Sequence, residues 1–178
     1  MVSWVSRISC HVVCGPRVWP AAAAEWLING TGADAGDPSL YHGLAGVVLA
    51  LHEAHLHFGD DRYRQAVVRG ADALSAHVGG LADSSLYFGL AGVAVSLRVL
   101  GRDAAADRAL NRVRDRFGGQ RWNQMFELFT GNAGIGLGAL HAGDLDLAVM
   151  AVTPYLTTAD RTPGGVNWAA PLTQVAWE

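Results

Sequence analysis

His52-Glu53-Ala54-His55-Leu56-His57 gathers three imidazoles and a carboxylate into six residues, a composition that invites a metal. A zinc helix of the His-Glu-x-x-His type needs its histidines at i and i+4, so that both ligands share one face. Here His52 and His55 stand at i and i+3, and His57 lies off that face, so the geometry fails. Imidazoles in the last turn of a helix instead suit its negative pole. Cys10 and Cys14 flank His11, but no second Cys or His pair follows at a zinc-finger distance, so they read as two free thiols. His42 and His141 border Gly-rich turns and read as structural. No metal is expected on these residues. Among the carboxylates, Glu127 opens an apolar helix, where a negative charge favours the helix dipole.

The elements that must position these side chains repeat. Ser39-Leu-Tyr-His-Gly-Leu-Ala-Gly-Val47, Ser85-Leu-Tyr-Phe-Gly-Leu-Ala-Gly-Val93 and Glu127-Leu-Phe-Thr-Gly-Asn-Ala-Gly-Ile135 each lead into an apolar helix. Their glycine pairs are Gly43/Gly46, Gly89/Gly92 and Gly131/Gly134, a repeat step that fixes a helical-repeat architecture. After each apolar helix comes an amphipathic one. In 60–78, Tyr63, Val67, Ala71, Leu74 and Val78 recur at three- and four-residue steps, and Gly79-Gly80 stops the helix. Segments 103–117 and 144–156 repeat the scheme. The spacing predicts an all-α fold of about three helical hairpins, apolar helices inside and amphipathic helices outside. The apolar helices are expected to run roughly 15 residues. The glycine pairs are expected to remove side chains where neighbouring helices meet, and to be structural.

Composition narrows the class. About half of the 178 residues are apolar and 16% are charged, which suits helices covered on more than one face or a surface awaiting a partner. A net charge of −3 and the absence of Lys/Arg blocks argue against nucleic acid, and no run of eighteen apolar residues argues for a membrane span. Met1 to Ala24 has the scattered Arg, short apolar stretch and Ala run of a secretory signal, but Arg7 interrupts the apolar part and Pro16, Arg17 and Pro20 precede the alanines. Residues 1–25 are therefore read as a poorly ordered leader, or as upstream of the true translation start. Residues 26–178 are read as the folded part, in a cytoplasmic protein. Trp122, Trp168 and Trp177 fall in connectors, where they are expected to cap the ring or cover an open edge.

The three motifs, with Glu127 to Leu140 followed by His141-Ala-Gly-Asp and the stretch Thr162-Pro-Gly-Gly-Val-Asn-Trp168, resemble the lanthionine synthetase C-like family over about residues 26–170. The resemblance implies an α/α toroid of inner and outer helices, of which this chain carries the N-terminal part, the first three of seven hairpin units. It implies a lanthipeptide cyclase that adds a peptide cysteine thiol to dehydroalanine or dehydrobutyrine by Michael addition. It further implies a Zn²⁺ held by two Cys and one His, which would bind the substrate as thiolate, and an acid that protonates the enolate. A precursor or leader peptide is the implied partner, together with a missing C-terminal half or a dehydratase or kinase.

The chain departs from that pattern. No cysteine follows Cys14, so the family's Cys and Cys-His-Gly zinc motifs do not occur, and its His-Gly motif would begin beyond Glu178. Zn²⁺ is thus expected only in the full-length family member. One family active-site position is present, the acidic residue four places before the third motif's first glycine. It is Glu127, where cyclases tend to have Asp; the extra methylene displaces the carboxylate by about 1.5 Å. The sequence is expected to be inactive as a cyclase alone. Two other readings stand beside it: a non-catalytic α-solenoid that binds peptide on an apolar inner wall, and an α/α-barrel glycosidase-like enzyme, for which only Glu127 is well placed of the two carboxylates required.

Overall fold

A computed structural model describes residues 21–31, 36–119, 122 and 126–168. Its elements are α1 (Ala21–Asn29), α2 (Leu44–Phe58), α3 (Asp61–His77), α4 (Leu90–Val99), α5 (Asp103–Asp115), α6 (Asn132–His141), α7 (Leu145–Thr157), β1 (Asp160–Thr162) and β2 (Gly165–Asn167). Helices α2 and α3, α4 and α5, and α6 and α7 form three hairpins, and α2, α4 and α6 pack one on the next. The fold is all-α apart from the short antiparallel β1–β2 ribbon, in which Arg161 faces Val166.

The inner helices start in the same way. Gly43, Gly89 and Gly131 are extended residues just outside α2, α4 and α6, and none offers a side-chain cap. The preceding loop supplies the cap: the Leu44 N–H donates to the Asp37 carbonyl (2.7 Å), and the Leu90 N–H to the Asp83 carbonyl (2.9 Å). Left-handed glycines at φ 71°, 70° and 82° (Gly59, Gly101 and Gly143) end the inner helices, where an L side chain would be strained. Gly79 and Gly80 do not have that conformation. Asp60 and Asp144 cap α3 and α7 by accepting the Arg62 and Leu147 N–H groups (2.8 and 3.0 Å).

The role expected for the glycine pairs is only partly what the structure shows. The second glycine of each pair meets its own motif first: a Cβ on Gly46, Gly92 or Gly134 would strike the carbonyl oxygen of Leu40, Leu86 or Leu128. A Cβ on Gly43 or Gly89 would strike Asp37 or Asp83 backbone in the same way. The glycines therefore let the turn fold back over the first helical turn. Approach between hairpins comes second: the Cβ of Leu40 lies 3.0 Å from the place a Gly92 Cβ would take, and Leu86 repeats this at Gly134.

Helix α4 is the middle of the inner layer, and Leu90, Ala91, Val93, Ala94 and Leu97 are fully buried. The outer helices contribute small inner stripes, Ala66, Gly70, Ala71 and Leu74 on α3 and Ala105, Ala106, Ala109 and Val113 on α5. Ala and Gly there bring the layers close; Gly70 has the Val48 side chain where a Cβ would be. α2 runs to 15 residues, as expected, whereas α4 and α6 have 10 each. α7 is not amphipathic like α3 and α5, and Leu145, Val149, Val152 and Leu156 are exposed. α1 begins at Ala21, ahead of the boundary drawn at residue 26, and Glu25 pairs with Arg62 at 2.6 Å. Trp122 packs against Phe117 (4.4 Å between centroids) and the core, its indole N–H donating to the Val113 carbonyl. Trp177, like Cys10, His11 and Cys14, lies outside the described residues.

Candidate functional site

The three repeated turns lie side by side at the N-terminal ends of α2, α4 and α6. Backbone bonds tie them together: the Leu40 and Tyr41 N–H groups donate to the Tyr87 carbonyl (3.1 and 3.0 Å), and the Tyr87 N–H to the Phe129 carbonyl (3.4 Å). Tyr41, Tyr87 and Phe129 stand two places before the first glycine of each motif, so this ladder brings their rings together. Tyr87 stacks on Phe129 at 4.7 Å, and Tyr41 meets Tyr87 edge-on at 6.0 Å and Phe129 at 6.4 Å. Phe88 joins them 5.7 Å from Tyr41. Tyr41 is 62% and Phe129 49% exposed, which leaves a row of aromatic faces open to a ligand.

Glu127 ends the ladder. Its Oε2 accepts the Phe129 N–H (2.5 Å), and its Oε1 accepts both the Thr130 N–H (2.7 Å) and the Thr130 hydroxyl (2.6 Å). In the second turn Ser85, at the matching position, accepts the Phe88 N–H at 3.3 Å with its hydroxyl. The carboxylate thus does the work of the serine and also takes the N–H that in the second turn continues the ladder. Burial pushes the Glu127 carboxyl up, but the Thr130 hydroxyl and the Thr130, Phe129 and Gly131 amides outweigh it and hold the group below its ordinary value. Glu127 is ionised at neutral pH, so it presents acceptor oxygens and no proton.

Tyr155 on α7 comes to the same corner. Its hydroxyl donates to the Phe126 carbonyl, its ring lies 4.7 Å from that of Phe126, and the Trp168 indole N–H donates to its carbonyl (2.7 Å). Burial pushes the phenol up, the Ala133 backbone offsets this, and the Glu127 charge adds to it, so Tyr155 keeps its proton. Trp168 therefore packs on α7 beside the site. Asn132 replaces the leucines Leu44 and Leu90 at the start of α6; it is fully buried and donates to the Ala151 carbonyl at 3.1 Å. Neither Tyr155 nor Asn132 stood out as a site residue in the sequence, although Asn132 breaks the chain's own Gly-Leu-Ala-Gly pattern.

The first turn places His42, Asp37 and Ser39 together. Asp37 Oδ2 lies 2.7 Å from His42 Nδ1, and the Ser39 hydroxyl lies 3.4 Å from the same nitrogen. A nucleophile relay needs the acid on one ring nitrogen and the hydroxyl on the other. Both partners share Nδ1 and Ser39 is buried, so the group braces the turn. His55 Nδ1 lies 3.2 Å from the Asp60 carbonyl, and the His57 ring packs edge-on to Phe58 at 4.6 Å. Among the described residues no helix is long and apolar enough to cross a membrane.

Three helical hairpins, glycine-cased turns and a carboxylate in the third turn define an all-α repeat protein with its candidate site on the turn face. The family model for lanthionine synthetase C-like proteins matches residues 34–163, well over half of the chain, and the chain belongs to that family. No curated protein and no solved structure matches it. The zinc centre that the family resemblance implies does not fit the residues at this face. Among the described residues no group of three or more His, Cys, Asp or Glu side chains could hold a metal ion, and Glu127 spends its oxygens on its own turn.

Proposed function

We propose that this chain performs the peptide-handling part of a lanthionine synthetase C-like reaction: it holds a precursor peptide on the turn face and does not close thioether rings alone. The observation that carries this is the exposed aromatic row running up to an ionised, fully engaged Glu127. Closing a ring requires a thiolate and an acid that protonates the α-carbon. Glu127 has no proton to give, and the Tyr155 hydroxyl proton is committed to the Phe126 carbonyl. Aromatic rings open to solvent, by contrast, give apolar peptide side chains an area to bury. In this reading Glu127 is a positioning residue: it fixes the turn that presents Phe129, and its carboxylate sets the polarity at the end of the row.

The test is to mix the purified chain with a dehydrated, cysteine-containing precursor peptide in the presence of zinc and count free thiols by alkylation. Binding with an unchanged thiol count is expected. Thiols lost to alkylation-resistant sulfur, formed by the chain alone, would overturn the proposal. The aromatic row also favours a second reading, a peptide-binding α-solenoid outside lanthipeptide chemistry; equal affinity for dehydrated and undehydrated peptides would mark that one. A sugar-cleaving role draws no support from the site, because glycoside hydrolysis needs a carboxyl group that gives up a proton.

A further inference from the structure

From Ser39 and Ser85 to Val47 and Val93 the first two turns differ at a single position, His42 against Phe88. That difference changes what the carboxylate of each turn can do. In the first turn Asp37 is fully engaged: Oδ1 accepts the Ser39 N–H (2.8 Å), and Oδ2 lies 2.7 Å from His42 Nδ1. In the second turn Asp83 Oδ1 accepts the Ser85 N–H in the same way (2.6 Å), but Phe88 stands where the imidazole would be. Asp83 is exposed, and its Oδ2 has no partner among the described residues. The Phe88 ring lies 5.7 Å from that of Tyr41 and 5.8 Å from that of His42. No Arg or Lys occurs in 36–47, 80–93 or 126–140. Arg116 reaches the stretch before the second turn, but it donates to the Leu81 and Ala82 carbonyls (2.8 and 2.7 Å).

We infer that the peptide held on this face carries a cationic side chain, seated between the first and second turns on the Tyr41 and Phe88 rings, with Asp83 as its counter-charge. The inference rests on the turn face binding peptide, as proposed above. A guanidinium or ammonium group is attracted to the negative face of an aromatic ring, and a guanidinium also stacks on it. The spare oxygen of Asp83 offers such a group a charge-assisted hydrogen bond. An acidic segment would instead meet Asp37, Asp83 and Glu127, one carboxylate per turn, with no Arg or Lys in the turns to offset the repulsion. The seat lies between two hairpins whose inner helices pack on each other, so these two turns supply all its residues.

Fluorescence anisotropy on the full chain tests it, with three labelled forms of one short dehydrated peptide that differ only in a central Arg, Gln or Glu. The Arg form is expected to bind about tenfold tighter than the Gln form, and the Glu form weakest. Asp83→Asn keeps an acceptor for the Ser85 N–H; it should cut the Arg-to-Gln ratio at least about threefold and leave the affinity of the Gln form unchanged. Arg and Gln forms that bind wild type equally, or an Asp83→Asn chain with the full Arg preference, would overturn the inference and leave the peptide-binding reading in place. Binding of none of the three forms would overturn both. If Asp83→Asn loses its helical circular dichroism, Phe88→His decides by the same ratio: it restores the first turn's Asp–His pair, occupies Asp83, and should lower the Arg preference.

Discussion

Glu127 shows how one residue can be visible in a sequence while its partners are not. Its place four residues before Gly131 is plain from the repeats, and so is its charge. That both oxygens are spent on Phe129 and Thr130 follows only from the turn folding back on itself. Glu127→Gln keeps an acceptor but loses the charge, at a cost of about 1 kcal/mol. The pH dependence has a definite sign. Because the folded carboxyl lies below its ordinary value, its stabilisation is present above the unfolded carboxyl's range and is lost as pH falls through the folded value. Thermal melts should therefore separate wild type from Glu127→Gln at neutral pH and converge in acid. A gap that widens in acid would contradict the assignment. Asn132 was legible as a break in the repeat, but not its bond to Ala151, a partner nineteen residues away.

At the scale of elements, periodicity delivered the hairpins, because each outer helix buries one stripe and the middle inner helix, α4, nearly all its faces. Lengths were less legible: α2 outruns α4 and α6 through the His-rich turn before Gly59, where residues 56–58 are exposed. The β1–β2 ribbon went unforeseen, since three-residue strands around Pro163-Gly164 carry too little alternation to register. The glycines separate into two kinds that sequence treats alike. At Gly92 a methyl group meets the rigid Leu86 carbonyl, so Gly92→Ala should cost about 3 kcal/mol. At Gly79 the backbone is ordinary and no atom lies within 4 Å, so Gly79→Ala should be neutral or stabilise by up to about 1 kcal/mol. Denaturant melts of the two variants check both; comparable losses would refute the fold-back role of the second glycine.

Over the whole molecule, the repeat sets two surfaces of different origin. The turn face follows from register, since every motif places its aromatic residue at the same height, and a backbone ladder holds the three rings in a row. The apolar edge follows from a change of residues at a kept register, where α7 carries Leu145, Val149 and Leu156 in place of the charges of α5. The family was readable from motifs alone. The aromatic row was not, because residues more than forty positions apart become neighbours only once the hairpins pack. Peptide binding on the turn face is the central claim, and the affinity of a fluorescently labelled, dehydrated precursor peptide measures it directly. Wild type should bind, and Tyr41→Ala/Phe129→Ala should weaken binding at least about tenfold while leaving the melt of these exposed positions nearly unchanged. No binding by the wild type, or equal binding by the variant, would contradict it.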